Sequence, residues 1–180
     1  MISLNEGHNM EAVLENLSGW AQEVFLVDSY SRDETVGIAL RYGVQVVQRR
    51  FRGFGDQWNF ALRELPISAP WTMKLDPDER LTDELKREIR EAVCLNDFNA
   101  FVVNIRLFFM EQALPIRLNL LRLWHTGQAS MSDVSVNEHI KVKCAVGSLG
   151  CEIEHHDSPD LEHWLEKQNR YTTAEAIIAY

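Results

Sequence analysis

Short apolar runs alternate with helically spaced apolar positions along the first half of the chain. Residues 1–4 read as the end of a strand. Met10, Val13, Leu14 and Leu17 then recur at the three- and four-residue spacing of one helix face, with Asn9 as the expected N-cap. Glu23-Val-Phe-Leu-Val-Asp28 is a compact apolar run closed by an aspartate, the pattern of a buried strand. Ser31 and Glu34 have S-x-x-E spacing, predicting a capping box and a helix that stops before Gly43. A β-branched run at 44–48 predicts a further strand. A loop with Gly53 and Gly55 then leads to a helix near 57–65. The strand expected at 71–75 again ends in acid, Asp76-Pro-Asp-Glu-Arg80.

Strand and helix alternate in this way through residue 94, which predicts an α/β fold with a mostly parallel, doubly wound sheet. Ligands of such sheets sit beyond the carboxyl ends of the strands. Three of those ends are polar here: Asn5/Glu6, Asp28/Ser29 and Asp76/Asp78. Past residue 94 the pattern becomes strand-like at 100–105, 119–124 and 139–142, which predicts antiparallel additions. A closing helix is expected after Ser158 as cap and Pro159 in the first turn, with Leu161, Trp164, Leu165, Gln168 and Tyr171 along one side. Residues 1–180 read as a single domain of two halves, 1–94 and 95–180.

The 180 residues carry 27 acidic and 18 basic side chains, a formal charge of −9. That excess argues against nucleic acid or an anionic bilayer as a partner gripped by the whole surface. A local basic patch at Arg49, Arg50 and Arg52 remains. Three cysteines, Cys94, Cys144 and Cys151, have no C-x-x-C or zinc spacing and suit a reducing compartment. The most apolar stretch, 100–110, is interrupted by Asn104 and Arg106, so a membrane helix is not expected. Asn5, Glu6 and His8 precede any run that could serve a signal peptide. The expected location is the cytoplasm.

Asp76 and Asp78, one residue apart after an apolar strand, can turn hard oxygen ligands toward one Mg²⁺ or Mn²⁺. A solvated turn explains the same motif. Asp28 could accept hydrogen bonds from a nucleobase or simply form a turn. Asn5, Glu6, Gln57 and Asn59 fall at predicted loops or helix starts and are individually uninformative. Glu138, within Val136-Asn-Glu, has the chemistry of a general base or of a solvated glutamate. The pair His155-His156 could add a metal ligand or lie on the surface. Lys167-Gln-Asn-Arg170 could meet phosphate or water.

Taken together, these segments resemble the family 2 glycosyltransferases of GT-A fold, closest to bacterial lipopolysaccharide-core and other cell-surface glucosyltransferases. The marks are Leu4-Asn-Glu6, Val27-Asp-Ser-Tyr-Ser-Arg-Asp-Glu-Thr35, Phe51-Arg-Gly-Phe-Gly-Asp-Gln-Trp-Asn-Phe-Ala61 and Leu75-Asp-Pro-Asp-Glu-Arg80. Leu121-Arg-Leu123, Val136-Asn-Glu138 and Trp164-Leu-Glu-Lys-Gln-Asn-Arg-Tyr171 follow in order. The resemblance implies a nucleotide-diphospho-sugar transferase fold, with residues 1–94 binding the nucleotide and 95–180 facing the acceptor. It implies Asn5, Glu6 and Asp28 against the nucleoside, with Gln57 and Asn59 in the loop and helix closing over it. Asp76 would lie near the ribose or donor sugar, and Arg170 near the diphosphate. Asp78 and His155 would hold a divalent metal, Mg²⁺ or Mn²⁺, and Glu138 would deprotonate the acceptor.

The implied reaction moves a hexose from a nucleotide-sugar, UDP-glucose first among them, to a saccharide or lipid-linked glycan with inversion. Membrane association would be at most peripheral, at the inner face. The chain departs from the pattern in starting inside the first strand, in Pro77 where alanine is usual, and in Asn137 where close relatives often have histidine. Two alternatives stand beside this reading. One is a relative that binds nucleotide-sugar without turnover. The other is a phosphatase of the haloacid dehalogenase type, which wants a small residue where this chain has Arg80.

Overall fold

A computed structural model describes residues 1–132, 139–156, 158 and 160–179, except the side chains of 170, 171, 174, 175 and 177–179. The chain opens with β1 (Ile2–Ser3), α1 (Gly7–Leu17), β2 (Phe25–Asp28), α2 (Thr35–Arg41), β3 (Gln45–Gln48) and α3 (Phe54–Glu64). Then come β4 (Trp71–Met73), β5 (Glu79–Leu81), α4 (Asp83–Leu95), β6 (Ala100–Phe109) and β7 (Gln112–His125). β8 (Ala129–Met131), β9 (Ile140–Val142), β10 (Val146–His156) and α5 (Leu161–Ala179) complete it.

β1, β2 and β3 form a parallel three-stranded sheet in that order, with Ser3 opposite Asp28 and Asp28 opposite Gln48. All three strands therefore deliver their last residues to one edge. α1 packs Met10, Val13, Leu14 and Leu17 into the core, as their spacing predicts. The helix starts earlier than expected, however. Glu6 is the N-cap, and Asn9 sits inside the first turn, donating to the Glu6 carboxylate.

A second sheet runs β4-β7-β6-β10-β5. β6 and β7 form a long antiparallel hairpin, β10 lies parallel to β6, and β4 and β5 pair antiparallel at the two edges. β8 and β9 make a small separate ribbon. The α/β class, the antiparallel additions and the closing helix are as expected. The extension of one parallel sheet through residue 94 is not: β4 and β5 pair only within the mixed sheet. Their partners are β7 and β10, far along the chain, and no local pattern encodes such a pairing. β5 and β10 themselves are absent from the pattern-based expectation. β10 carries Gly147 and Gly150, and its register is set by β6 rather than by an alternation of its own.

Two expected caps are replaced. Ser31 does not cap α2; its hydroxyl donates to Asp28 and accepts from the Asn5 backbone, and the helix begins at Thr35. Asp160 caps α5, accepting from the His163 backbone at 2.8 Å, whereas the Ser158 hydroxyl is buried without a hydrogen-bond partner among the described residues.

Candidate functional site

The turn from β4 into β5 places Asp76, Asp78 and Glu79 at the carboxyl end of an apolar strand, beneath the start of α5. Glu79 is fully buried and Asp78 is 6% exposed. Glu79 locks the turn, accepting from the Asp76 backbone at 2.9 Å and donating its own N–H to the Asp76 carbonyl at 3.0 Å. Arg122, from β7, reaches across with one guanidinium nitrogen 2.5 Å from Glu79 and another 3.3 Å from Asp76. Lys74 lies 4.0 Å from the same Asp76 oxygen. Burial raises the pKa of Asp76, but Lys74, Arg122 and His155 outweigh it and hold the carboxyl well below the usual carboxylate range.

Asp78 is treated differently. Its Oδ2 lies 3.1 Å from the Lys167 ammonium of α5 and 3.5 Å from His155 Nε2 of β10. Its Oδ1 is buried and has no hydrogen-bond partner among the described residues. Such an atom is costly unless something completes it. The backbone fixes the turn from the other side, with the His156 N–H donating to the Asp78 carbonyl at 2.8 Å. His155 Nδ1 lies 3.7 Å from Glu79, so the imidazole bridges the two acids. The His156 ring turns elsewhere, stacking on Phe108 at 4.8 Å and meeting Glu154 at 3.3 Å.

The residues present therefore fit a small divalent cation. Asp78 offers one carboxylate oxygen already desolvated and unpaired, and His155 places an imidazole nitrogen 3.5 Å from the other. A Mg²⁺- or Mn²⁺-type site needs only one or two protein carboxylates when phosphate oxygens and water complete the shell. Among the described residues no group of three His, Cys, Asp or Glu side chains forms a ready ligand set, so the protein supplies only part of one.

The end of β2 is a second polar cluster. Asp28 is fully buried. One carboxylate oxygen accepts from the Ser3 hydroxyl at 3.0 Å and from the Ser31 hydroxyl; the other accepts from the Ser31 N–H and from Gln48 Nε2, both at 2.9 Å. Those four bonds fill its lone pairs. Asn5, at φ 56°, accepts from the Arg32 N–H at 2.8 Å and ties the two strand ends together. Glu6 is three-quarters buried at the start of α1. Burial pushes its pKa up to about 7, with Asp78 adding and the Asn9 hydrogen bond opposing. Gly7 follows because any Cβ there would meet the Asp33 carboxylate at 2.9 Å, where the Gly7 N–H donates.

Gln57 is fully buried in α3, donating to the Ser29 hydroxyl at 3.2 Å and accepting from Arg49 at 3.0 Å. Arg49 also pairs with Asp56 at 2.8 Å. Asn59 clips β8, donating to the Met131 carbonyl and accepting from its N–H, at 3.2 and 3.0 Å. The structure thus brings Asp76, Asp78 and His155 together, with Glu6 close enough to feel the charge of Asp78. It places Asn5 and Asp28 at the adjoining strand end and uses Asn59 to hold a neighbouring ribbon. Glu138 and the Arg170 side chain lie outside the described residues. The sequence reading gave no role to Arg122 or Glu79. An arginine inside the apolar run Leu120-Leu-Arg-Leu-Trp124 was the signal, since a buried guanidinium requires acidic partners.

Comparison with known proteins places the chain in a family. The chain is 24% identical over 192 residues to an uncharacterized glycosyltransferase of Rickettsia prowazekii, covering 98% of this chain and 65% of that protein. It is 37% identical over 89 residues to one from Rickettsia bellii, covering 49% and 30%. A lipopolysaccharide core biosynthesis glycosyltransferase of Rhizobium meliloti, LpsC, is 31% identical over 102 residues, covering 54% and 37%. The chain thus spans less than two thirds of the length of these curated relatives. The crystal structure of S. aureus TarS shares the fold, with a TM-score of 0.65 at 14% identity over 88% of this chain and 36% of that one. Residues 1–150 match the model of the glycosyl transferase family 2, and the chain belongs to that family.

Proposed function

We propose that this chain forms the donor site of an inverting, metal-dependent hexosyltransferase that carries a hexose from a nucleotide-sugar, UDP-glucose first among them, to a cell-surface glycan. The observation that carries the reading is Asp78: a buried carboxylate with one uncompleted oxygen, beside His155, at a strand's carboxyl end in a family 2 chain. Residues 1–94 supply the nucleotide half and 95–180 the acceptor half. The match to LpsC supports a lipopolysaccharide-type acceptor, saccharide or lipid-linked. Family membership sets aside the phosphatase alternative. Among the described residues no helix is long and apolar enough to cross a membrane. The cytoplasm, with at most peripheral contact at the inner face of the membrane, completes the proposal.

In this reading Asn5, Glu6 and Asp28 line the nucleoside side, and a base reaches Asp28 only by exchanging one of its present donors. Gln57 and Asn59 fix the helix and ribbon that flank the nucleotide. Asp76, clamped by Arg122 and Lys74, stays ionised and faces the sugar. Arg170 supplies positive charge at the diphosphate. Asp78 and His155 hold Mg²⁺ or Mn²⁺, which when bound neutralises negative charge building on the departing diphosphate. Glu138 takes the proton from the attacking hydroxyl, a contribution of about 10²–10⁴ in rate. The test is single-turnover transfer at saturating donor. Glu138→Gln is expected to lower it by about 10²–10⁴ while donor affinity is unchanged. Undiminished transfer in that variant removes Glu138 from the mechanism.

A further inference from the structure

α5 does more than close the fold. It lies against the site through three side chains. His163 meets the His8 ring edge-on at 4.9 Å, Trp164 meets Phe109 at 5.7 Å, and Lys167 reaches Asp78 at 3.1 Å. The first two anchor the helix to α1 and β6. The third places an ammonium, 17% exposed, on the carboxylate assigned above to the metal.

The charges around the turn explain the placement. Arg122 and Lys74 neutralise Asp76 and Glu79. Asp78 instead faces Lys167 and His155. A buried carboxylate without a nearby cation would be strongly disfavoured. Lys167 and His155 both address Oδ2, while Oδ1 stays buried and uncompleted. A divalent ion bound to this carboxylate would sit a few ångströms from the ammonium, a like-charge contact in a poorly hydrated place. The two cations cannot share Asp78 at full strength. Lysine is suited to yield, since its charge rides on a flexible four-carbon stem whose head can swing while the helix stays anchored.

We infer that Lys167 is a tethered cation that holds Asp78 until a divalent ion displaces it, so that α5 and the metal compete for one carboxylate. The inference rests on the proposed reading of Asp78 as a metal ligand. It makes Lys167 a positioning residue: it keeps the ligand carboxylate aimed without metal. Once displaced from Asp78, its ammonium can turn toward the anionic group that arrives with the ion.

The test is Mn²⁺ titration of the full chain without nucleotide, following free Mn²⁺ by electron paramagnetic resonance. Lys167→Met is expected to bind Mn²⁺ about tenfold more tightly than the wild type, because a like charge is removed from the ion's edge. Lys167→Arg keeps the charge and is expected to bind no more tightly than the wild type. Should Lys167→Met fail to fold, Lys167→Gln keeps a polar tip and carries the same expectation. If Mn²⁺ binds the wild type through Asp78 and the uncharged variants bind equally or more weakly, the ammonium is a structural salt bridge and the competition is wrong. If none of the variants binds Mn²⁺, the metal reading of Asp78 and this inference fall together.

Discussion

Asp28 and Asp78 look alike in the sequence, each an aspartate just past a short apolar strand, yet the fold uses them in opposite ways. Asp28 is fully buried, and neutral donors from Ser3, Ser31 and Gln48 fill its oxygens. Asp78 is almost as buried, but one oxygen is addressed by the Lys167 ammonium and the His155 imidazole and the other by nothing described. The difference lies in what surrounds each. β2 is flanked by β1 and β3, whose last residues, Ser3 and Gln48, stand directly opposite Asp28 or beside it in register. At the β4–β5 turn the end of β10 offers Asp78 only a backbone N–H to its carbonyl, and the side chains that reach the acids come from β7, β10 and α5. A carboxylate completed by its own sheet knits the scaffold. A carboxylate left incomplete by its sheet is available to a ligand.

The strongest way to break this contrast is to remove the cation that holds the second cluster together. Arg122→Met would leave fully buried Glu79 without the guanidinium that pairs with it and would take from Asp76 one of the cations that hold it ionised, Lys74 being another. Breaking such a buried pair costs about 3–5 kcal/mol, so urea unfolding is expected to show a loss of that size. A loss below about 1 kcal/mol would mean Arg122 is incidental.

A second effect is read through pH. Glu6 has an ordinary value of 4.5 and titrates at about 7 when folded, first because burial disfavours its charge. The folded state holds this proton more tightly than the unfolded one. The resulting stability is fully present below pH 4.5 and is lost as pH rises through 7, each unit of separation contributing about 1.4 kcal/mol. Glu6→Gln is expected to flatten the decline between pH 5 and 8. An unchanged pH profile would show that Glu6 is solvated.

The third comparison is direct. Asp28→Ala leaves the Ser31 N–H and the Ser3 and Gln48 donors unpaired, a loss of about 1–3 kcal/mol measured without ligand. Asp78→Asn, measured alongside, is expected to cost less, because it removes a carboxylate already crowded by Asp76, Glu79 and Glu6. The reverse order would overturn the division between scaffold and site. The smallest effect is expected at the histidine pair. His155→Ala should weaken Mn²⁺ binding, whereas His156→Ala should leave it unchanged, because its ring stacks on Phe108. Equal losses would remove His155 as a specific ligand.

Much of this was legible in the chain because it is local. The apolar face of α1, the strand that ends at Asp28 and the acidic turn after β4 depend on periodicity within a dozen residues. The family resemblance identified the same acidic turn and His155. The caps were less legible, since the Ser31 hydroxyl turns to Asp28 and the Asn5 backbone across the sheet rather than to its own helix. β5 and β10 were not legible, because β10 takes its register from a strand some 46 residues earlier, Val146 standing opposite Ala100. Nor could spacing reveal that Arg122 clamps Asp76 and Glu79 from 46 and 43 residues away. Only an unexplained arginine in an apolar strand hinted at it.

The central claim is that Asp78 is the carboxylate left open for a ligand, and calorimetric titration of UDP tests it most directly. Wild-type chain and Asp78→Asn are each titrated with and without Mn²⁺. The account predicts that Mn²⁺ tightens UDP binding to the wild type by at least about tenfold, or ~1.4 kcal/mol, and that Asp78→Asn abolishes this gain. Equal UDP affinity in all four titrations, or a metal-dependent gain that survives Asp78→Asn, would contradict it.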